Sequence, residues 1–241
     1  MPDEHSLGEV PAGWPVPNEV ALAAAREAAL EALQDVERAG RRLGRYYDPM
    51  GNFAGATFGT VAPNDPGQVT AADLFAVTLL SVRLRPAAAR RVLDDERHRD
   101  AVQRRLAAVP EGADLAEADA ATLEGASALY EDVKRALASP KTARSDPWVT
   151  ASKLCARKRP RLLPVRDSKV RTLLGIPPGS DHQHDWLIHR ELIRDSKILR
   201  LLGDAKTNAT TQEDIRVDVQ DPSLRVLDVV LWTHAISLDA R

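Results

Sequence analysis

An all-α protein is predicted by three features of the 241-residue chain. Apolar residues recur at helical spacing over most of its length, alanines crowd the same stretches, and strand-like character is confined to 55–61 and 215–219. The first helix is expected from Asn18 to about Leu43, where Val20, Leu22, Ala25, Ala29, Leu30, Leu33 and Val36 recur at helical spacing among alanines. Thr70 reads as the N-cap of a second helix with Asp73 in its first turn, leading into Leu74, Val77, Leu79 and Leu80, an apolar and buried run. Further helices are expected over 86–93, 96–108, 118–138, 148–158, 168–175, 181–202 and 222–238. Ser180 to Gln183 has the Ser-x-x-Gln form of a capping box, which sets a helix start near 181. Trp232 repeats with Val229 and Ile236 on the last helix and reads as core.

A hydrophobic fraction of 44% supports a substantial core, and no boundary divides it. One domain over 17–241 is expected, after a flexible segment 1–16. No stretch has the length of a membrane span, and Met1 to His5 lacks the basic and apolar regions of a leader. Cys155 is the single cysteine, so no internal disulfide is possible and a cytoplasmic monomer is expected. Its apolar helical setting reads as a buried thiol rather than a nucleophile.

Charge is unevenly spread. The whole chain has 33 basic and 35 acidic residues, yet 149–170 holds Lys153, Arg157, Lys158, Arg159, Arg161, Arg166 and Lys169 around Asp167 alone, with Arg171 just beyond. Such a strip is expected either to face phosphates or to be a solvated helix face that meets acidic neighbours. The longest non-helical stretch, 46–69, gathers Tyr46, Tyr47, Asp48, Phe53 and Phe58 among glycines in a chain that is only 4% aromatic. Long loops in compact domains often carry function, and aromatic plates suit a flat ring; packing of Phe53 and Phe58 against the core is the competing reading. Asp48 in Asp48-Pro49-Met50-Gly51 also reads as a turn former.

Other constellations are weaker. Asp181, His182, His184, Asp185 and His189 lie close in sequence, but a lone Asp/His pair at i, i+4 is more often a salt bridge, so no metal site is expected. Gly51, Gly55 and Gly59 are too widely spaced for a phosphate loop, and no cofactor is expected.

The Thr150-Ala151 pair opening a helix, the Pro-bounded basic loop, and Val165-Arg166-Asp167-Ser168 at the next helix start together resemble the helix-hairpin-helix DNA glycosylases. The 17-residue separation of Thr150 and Asp167 resembles the endonuclease-III branch. Across its length the chain also resembles an uncharacterised family of actinobacterial proteins, through Arg45–Asp48, Phe53–Phe58, the basic strip and Leu224–Trp232, and is similar to phage-defence glycosylases acting on glucosylated cytosine.

The resemblance implies two helical lobes around a cleft, double-stranded DNA as partner, and excision of a flipped, modified base. It assigns Asp167 as the catalytic carboxylate, Tyr46, Tyr47, Asp48 and Phe53 to the base pocket, and Trp148, Thr150, Lys153, Arg157, Lys158, Arg159, Arg161, Arg166 and Lys169 to DNA contact. Trp148 is expected to wedge into the duplex or to pack. The pattern departs from the family in two places. Ser145-Asp146-Pro147 replaces the glycine-rich hairpin, and Pro147 has no N–H to offer a phosphate. Val149 stands where bifunctional members have their Schiff-base lysine, which implies a monofunctional enzyme, although Lys153 lies one turn on. A non-catalytic DNA-binding derivative of the same fold is the main alternative, and a module whose basic strip meets an acidic partner is another.

Overall fold

Two aspartates divide what the apolar pattern runs together. In the computed structural model, which describes residues 9–139, 145–211 and 217–239, the expected helix 18–43 is two helices, α1 (Glu19–Gln34) and α2 (Val36–Tyr47). Asp35 ends the first and caps the second, its carboxylate accepting the Arg38 N–H at 2.9 Å. Asp195 does the same between α9 (His182–Arg194) and α10 (Ser196–Thr210), accepting from Lys197 and Ile198 and pairing with Arg26 of α1 at 2.5 Å. Helix α10 runs on to Thr210, past the end of the helix expected over 181–202.

The turn Ala54–Thr57 is a 3-10 helix, so the 55–61 strand is not formed. Residues 217–219 form no strand either, and 215–216 lie outside the described residues. The remaining helices are α3 (Ala71–Thr78), α4 (Pro86–Leu93), α5 (Glu96–Ala108), α6 (Ala120–Leu137), α7 (Trp148–Lys158), α8 (Ser168–Leu173) and α11 (Ser223–Asp239). Among the described residues there are eleven α-helices and no strand: the fold is all-α.

Caps follow the local chemistry. Thr70 and Asp73 form a reciprocal capping box at α3. At α9 the cap is Asp181, which accepts from His184, and not Ser180 as the Ser-x-x-Gln pattern suggested. An aspartate at the last position before the helix is as good an acceptor, and it lies one residue nearer the helix start.

Helices α3 to α7 pack among themselves, and α1, α2, α8, α9, α10 and α11 form a second packing group. The tightest approach is α2 on α10. A Cβ at Gly40 would lie 2.6 Å from Asn208 Cβ and 3.1 Å from the Ala205 carbonyl, so the absent side chain is what lets the two backbones meet. Residues 9–16, expected to be flexible, are docked on α9: Arg190 donates to Glu9 O at 3.0 Å, and Trp14 packs on Trp186 with ring centroids 6.1 Å apart. Among the described residues no helix is long and apolar enough to cross a membrane.

Candidate functional site

The basic strip is mostly interior. Helix α7 is buried along its length from Ala151 to Lys158, and its cations reach polar groups contributed by distant segments. Arg157 pairs with Asp73 of α3 at 2.7 Å and donates to the carbonyls of Phe58 and Val61. Lys158 reaches the other oxygen of Asp73 at 2.6 Å, and also Asp65 O and Asn64 Oδ1. Arg159 is saturated by carbonyls, those of Val109, Pro66, Lys158 and Leu106. Arg166 pairs with Asp185 at 2.6 Å and donates to the Tyr130 hydroxyl and Ser180 O.

Each of these cations is at most 4% exposed. The expectation that Arg157, Lys158, Arg159 and Arg166 grip a phosphate backbone is therefore corrected. Their charge is compensated internally, as burial of a guanidinium or ammonium demands. The strip's exposed members are Arg161, paired with Asp114 at 3.1 Å, and Lys169, paired with Asp239 at 2.5 Å.

Lys153 and Asp167 meet at a cavity. About 390 Å³ in volume, it is lined by Val149, Lys153, Val165, Asp167 and Val170, by Tyr46 and residues 52–55, and by the α11 residues Arg225, Asp228 and Trp232. That size falls within the ~300–1,000 Å³ of small-ligand sites. Three rings form one wall. Phe53 stacks on Tyr46 (centroids 5.6 Å apart, 29° between planes), and Trp232 meets both edge-on. Gly55 lets the 3-10 turn close against them, since a Cβ there would fall 2.4 Å from the Tyr46 hydroxyl.

Asp167 caps α8, accepting the Lys169 N–H at 2.9 Å through Oδ1, while Oδ2 lies 3.8 Å from Lys153 Nζ. The helix cap and the cavity carboxylate are thus the same group. Lys153 donates to Leu80 O at 2.7 Å, and its pKa is lowered by burial, with Asp167 opposing the shift. It is a cavity residue and not a backbone-binding one, a second correction.

Asp228 accepts the Val165 N–H at 2.8 Å and turns its other oxygen to His189 Nε2 at 3.5 Å. His189 Nδ1 faces the Asp185 carbonyl at 2.8 Å, so that nitrogen carries a hydrogen, and protonating Nε2 converts a lone-pair clash with Asp228 into an ion pair. Burial works against the charge on His189, and Asp228 together with Asp185 outweighs it, so the pKa is raised.

Of the four residues assigned to a base pocket, Tyr46 and Phe53 line this cavity, whereas Tyr47 and Asp48 do not. Tyr47 turns into the core and donates to Asp221 at 2.7 Å. Asp48 is a turn former that accepts the Met50 N–H at 2.9 Å. Trp148 is no wedge: its half-buried ring packs against the guanidinium groups of Arg166 and Arg171, at 4.9 and 5.3 Å from its centroid. Thr150 faces a shallow neighbouring depression with Pro147, Arg83 and Arg85. Helix α7 starts without a side-chain cap at Pro147, and residues 140–144 of the connection from α6 lie outside the described residues.

Arg225, Asp228 and Trp232 were not anticipated as cavity residues. Their i, i+3, i+7 spacing on α11 was the available signal, obscured because the intervening valines and leucines made the helix look uniformly like core. Among the described residues no three or more His, Cys, Asp or Glu side chains gather as metal ligands.

Residues 39–235 match DUF6308, a family of unknown function, and the chain belongs to that family. No curated protein and no solved structure matches it.

Proposed function

We propose that this member of the DUF6308 family is a monofunctional DNA glycosylase that flips a modified base into the aromatic cavity and hydrolyses its C–N glycosidic bond. The observation that carries the reading is the Asp167 carboxylate. It is fixed by its own helix cap and by Lys153, at the wall of a cavity that Tyr46, Phe53 and Trp232 also line. A flat base fits against such rings, and a carboxylate lining the same cavity stabilises the oxocarbenium-like sugar or activates the attacking water. Lys153 acts as a positioning residue that keeps Asp167 aimed.

In this reading the two helix packing groups are the two lobes, and the exposed Arg83 and Arg85, just beyond cavity residues Ser81 and Val82, meet the DNA backbone in place of the buried strip cations. The enzyme works as a cytoplasmic monomer on double-stranded DNA, and glucosylated cytosine of phage DNA is the substrate class to try first. The test is base release, scored as alkali-labile abasic sites, from DNA containing ordinary, damaged and hypermodified bases. Abasic sites made by the wild type and not by Asp167→Asn support the reading; silence over the whole panel sinks it.

Burial of the strip's cations favours a second reading, an N-glycosidase acting on free nucleosides, for which no phosphate-facing patch is needed. Cleavage of free nucleosides without cleavage in DNA would select it.

A further inference from the structure

Arg225 is a buried cation with no carboxylate of its own. It is 7% exposed, and among the described residues it makes no ion pair. Its terminal nitrogen donates to the Tyr46 hydroxyl at 2.7 Å, its Nε has no hydrogen-bond partner, and its guanidinium lies 5.2 Å from the Phe58 ring centroid and 5.9 Å from that of Tyr46. The two carboxylates that act on it electrostatically are committed elsewhere. Asp221 accepts the Tyr47 hydroxyl, and Asp228 is divided between the Val165 N–H and His189. A guanidinium removed from water is ordinarily paired, and an unpaired one that lines a cavity calls for a counter-ion from the occupant. Tyr46, Phe53 and Trp232 line the same cavity and offer ring surface to a planar occupant.

We propose that the cavity contains a subsite for a planar anion, with Arg225 as its counter-ion. Resting on the base-excision reading, this subsite receives the departing base. The C1′–N bond breaks with its electron pair passing to the base nitrogen and onto a conjugated ring carbonyl oxygen, to which Arg225 donates. Water forms the new C1′–O bond and gives its proton to Asp167, and that proton reaches the base on release. Arg225 therefore selects bases whose charge can delocalise onto a carbonyl oxygen, which describes pyrimidine-2-ones and oxopurines and leaves out plain adenine.

The test uses orotate, a pyrimidine ring carrying a carboxylate, and uracil, a similar ring without that charge, in equilibrium dialysis with the full chain. Wild type should bind orotate at least about tenfold more tightly than uracil, a gap of ~1.4 kcal/mol. The preference should vanish in Arg225→Met, persist in reduced form in Arg225→Lys, and survive Lys153→Met. Equal affinity in the wild type overturns the proposal without recourse to any variant, as does a preference that Lys153→Met abolishes and Arg225→Met leaves. Orotate preference without base release from any DNA would leave the subsite standing and remove the glycosylase; base release without that preference would do the reverse.

Discussion

Lys153 Nζ lies 3.8 Å from Asp167 Oδ2 and donates to the Leu80 carbonyl at 2.7 Å, so one ammonium ties α7 to the start of α8 and to the segment after α3. The pair is too far apart for a strong hydrogen bond and close enough for a strong Coulomb interaction in a partly dry site. Asp167→Asn keeps the helix cap and removes the charge. Base release should fall by about 10²- to 10³-fold, the scale expected for loss of one preorganised electrostatic group. Thermal unfolding should move little, because asparagine caps as well as aspartate. A large drop in melting temperature with unchanged turnover would count against a catalytic role.

Asp73 holds two buried cations at once, Arg157 and Lys158. Asp73→Ala leaves both without a counter-ion and should cost about 3–5 kcal/mol, the penalty for breaking a buried pair from one side. Urea denaturation measures it, and a loss below about 1 kcal/mol would mean that these cations find water in the native state.

Arg83 and Arg85 are exposed near the cavity mouth, whereas Arg157 is sealed in. Arg83→Ala and Arg85→Ala should each reduce the slope of log affinity for DNA against log salt by about 1. Arg157→Met should lower stability without changing that slope. The same slope in all three proteins would exclude the two exposed arginines from phosphate contact.

Two histidines bend the stability–pH curve in opposite directions. His182 is pushed down to about 3 by burial and by the Arg166 charge, so its neutral form belongs to the folded state. Its contribution is complete above the unfolded value near 6.5 and is lost as pH falls from there towards 3. The raised pKa of His189 contributes stability that is complete below about 6.5 and is lost as pH climbs through its folded value. His182→Gln should flatten the acid limb of urea midpoint against pH, and His189→Gln the limb above neutrality. If neither limb changes, the coupling of these rings to folding is absent.

Cys155 is buried and its thiol is pushed up by burial. The native protein should resist a thiol-specific reagent and titrate only after denaturation. Prompt labelling would show that α7 opens readily.

Helix placement was legible where caps and periodicity agree. The bounds 86–93, 96–108 and 148–158 match α4, α5 and α7, and Thr70 caps α3 as its sequence implied. Breaks at Asp35 and Asp195 were hidden, because each aspartate interrupts an apolar repeat that continues in register beyond it. Asp167, Tyr46 and Phe53 could be nominated from local sequence, and all three line one cavity, whereas Lys153, nominated for DNA contact, lines it too. The direction in which the strip faces could not be read locally. Arg157 finds its carboxylate 84 residues away and Arg166 finds its own 19 away, and local charge density carries no record of such distant partners.

The carbonyls of Phe58, Val61, Asp65 and Pro66 are each held by a cation of α7 or of Arg159 just after it. Every residue inserted or deleted between 58 and 66 would break that register of four contacts, so this part of the loop behaves as a frame of fixed length. Residues 48–55, which include Phe53 and the start of the 3-10 turn, lie outside it. Divergence within the family, and any laboratory effort to change what the cavity accepts, should therefore proceed through length and side-chain changes at 48–55, with 58–66 left as inherited.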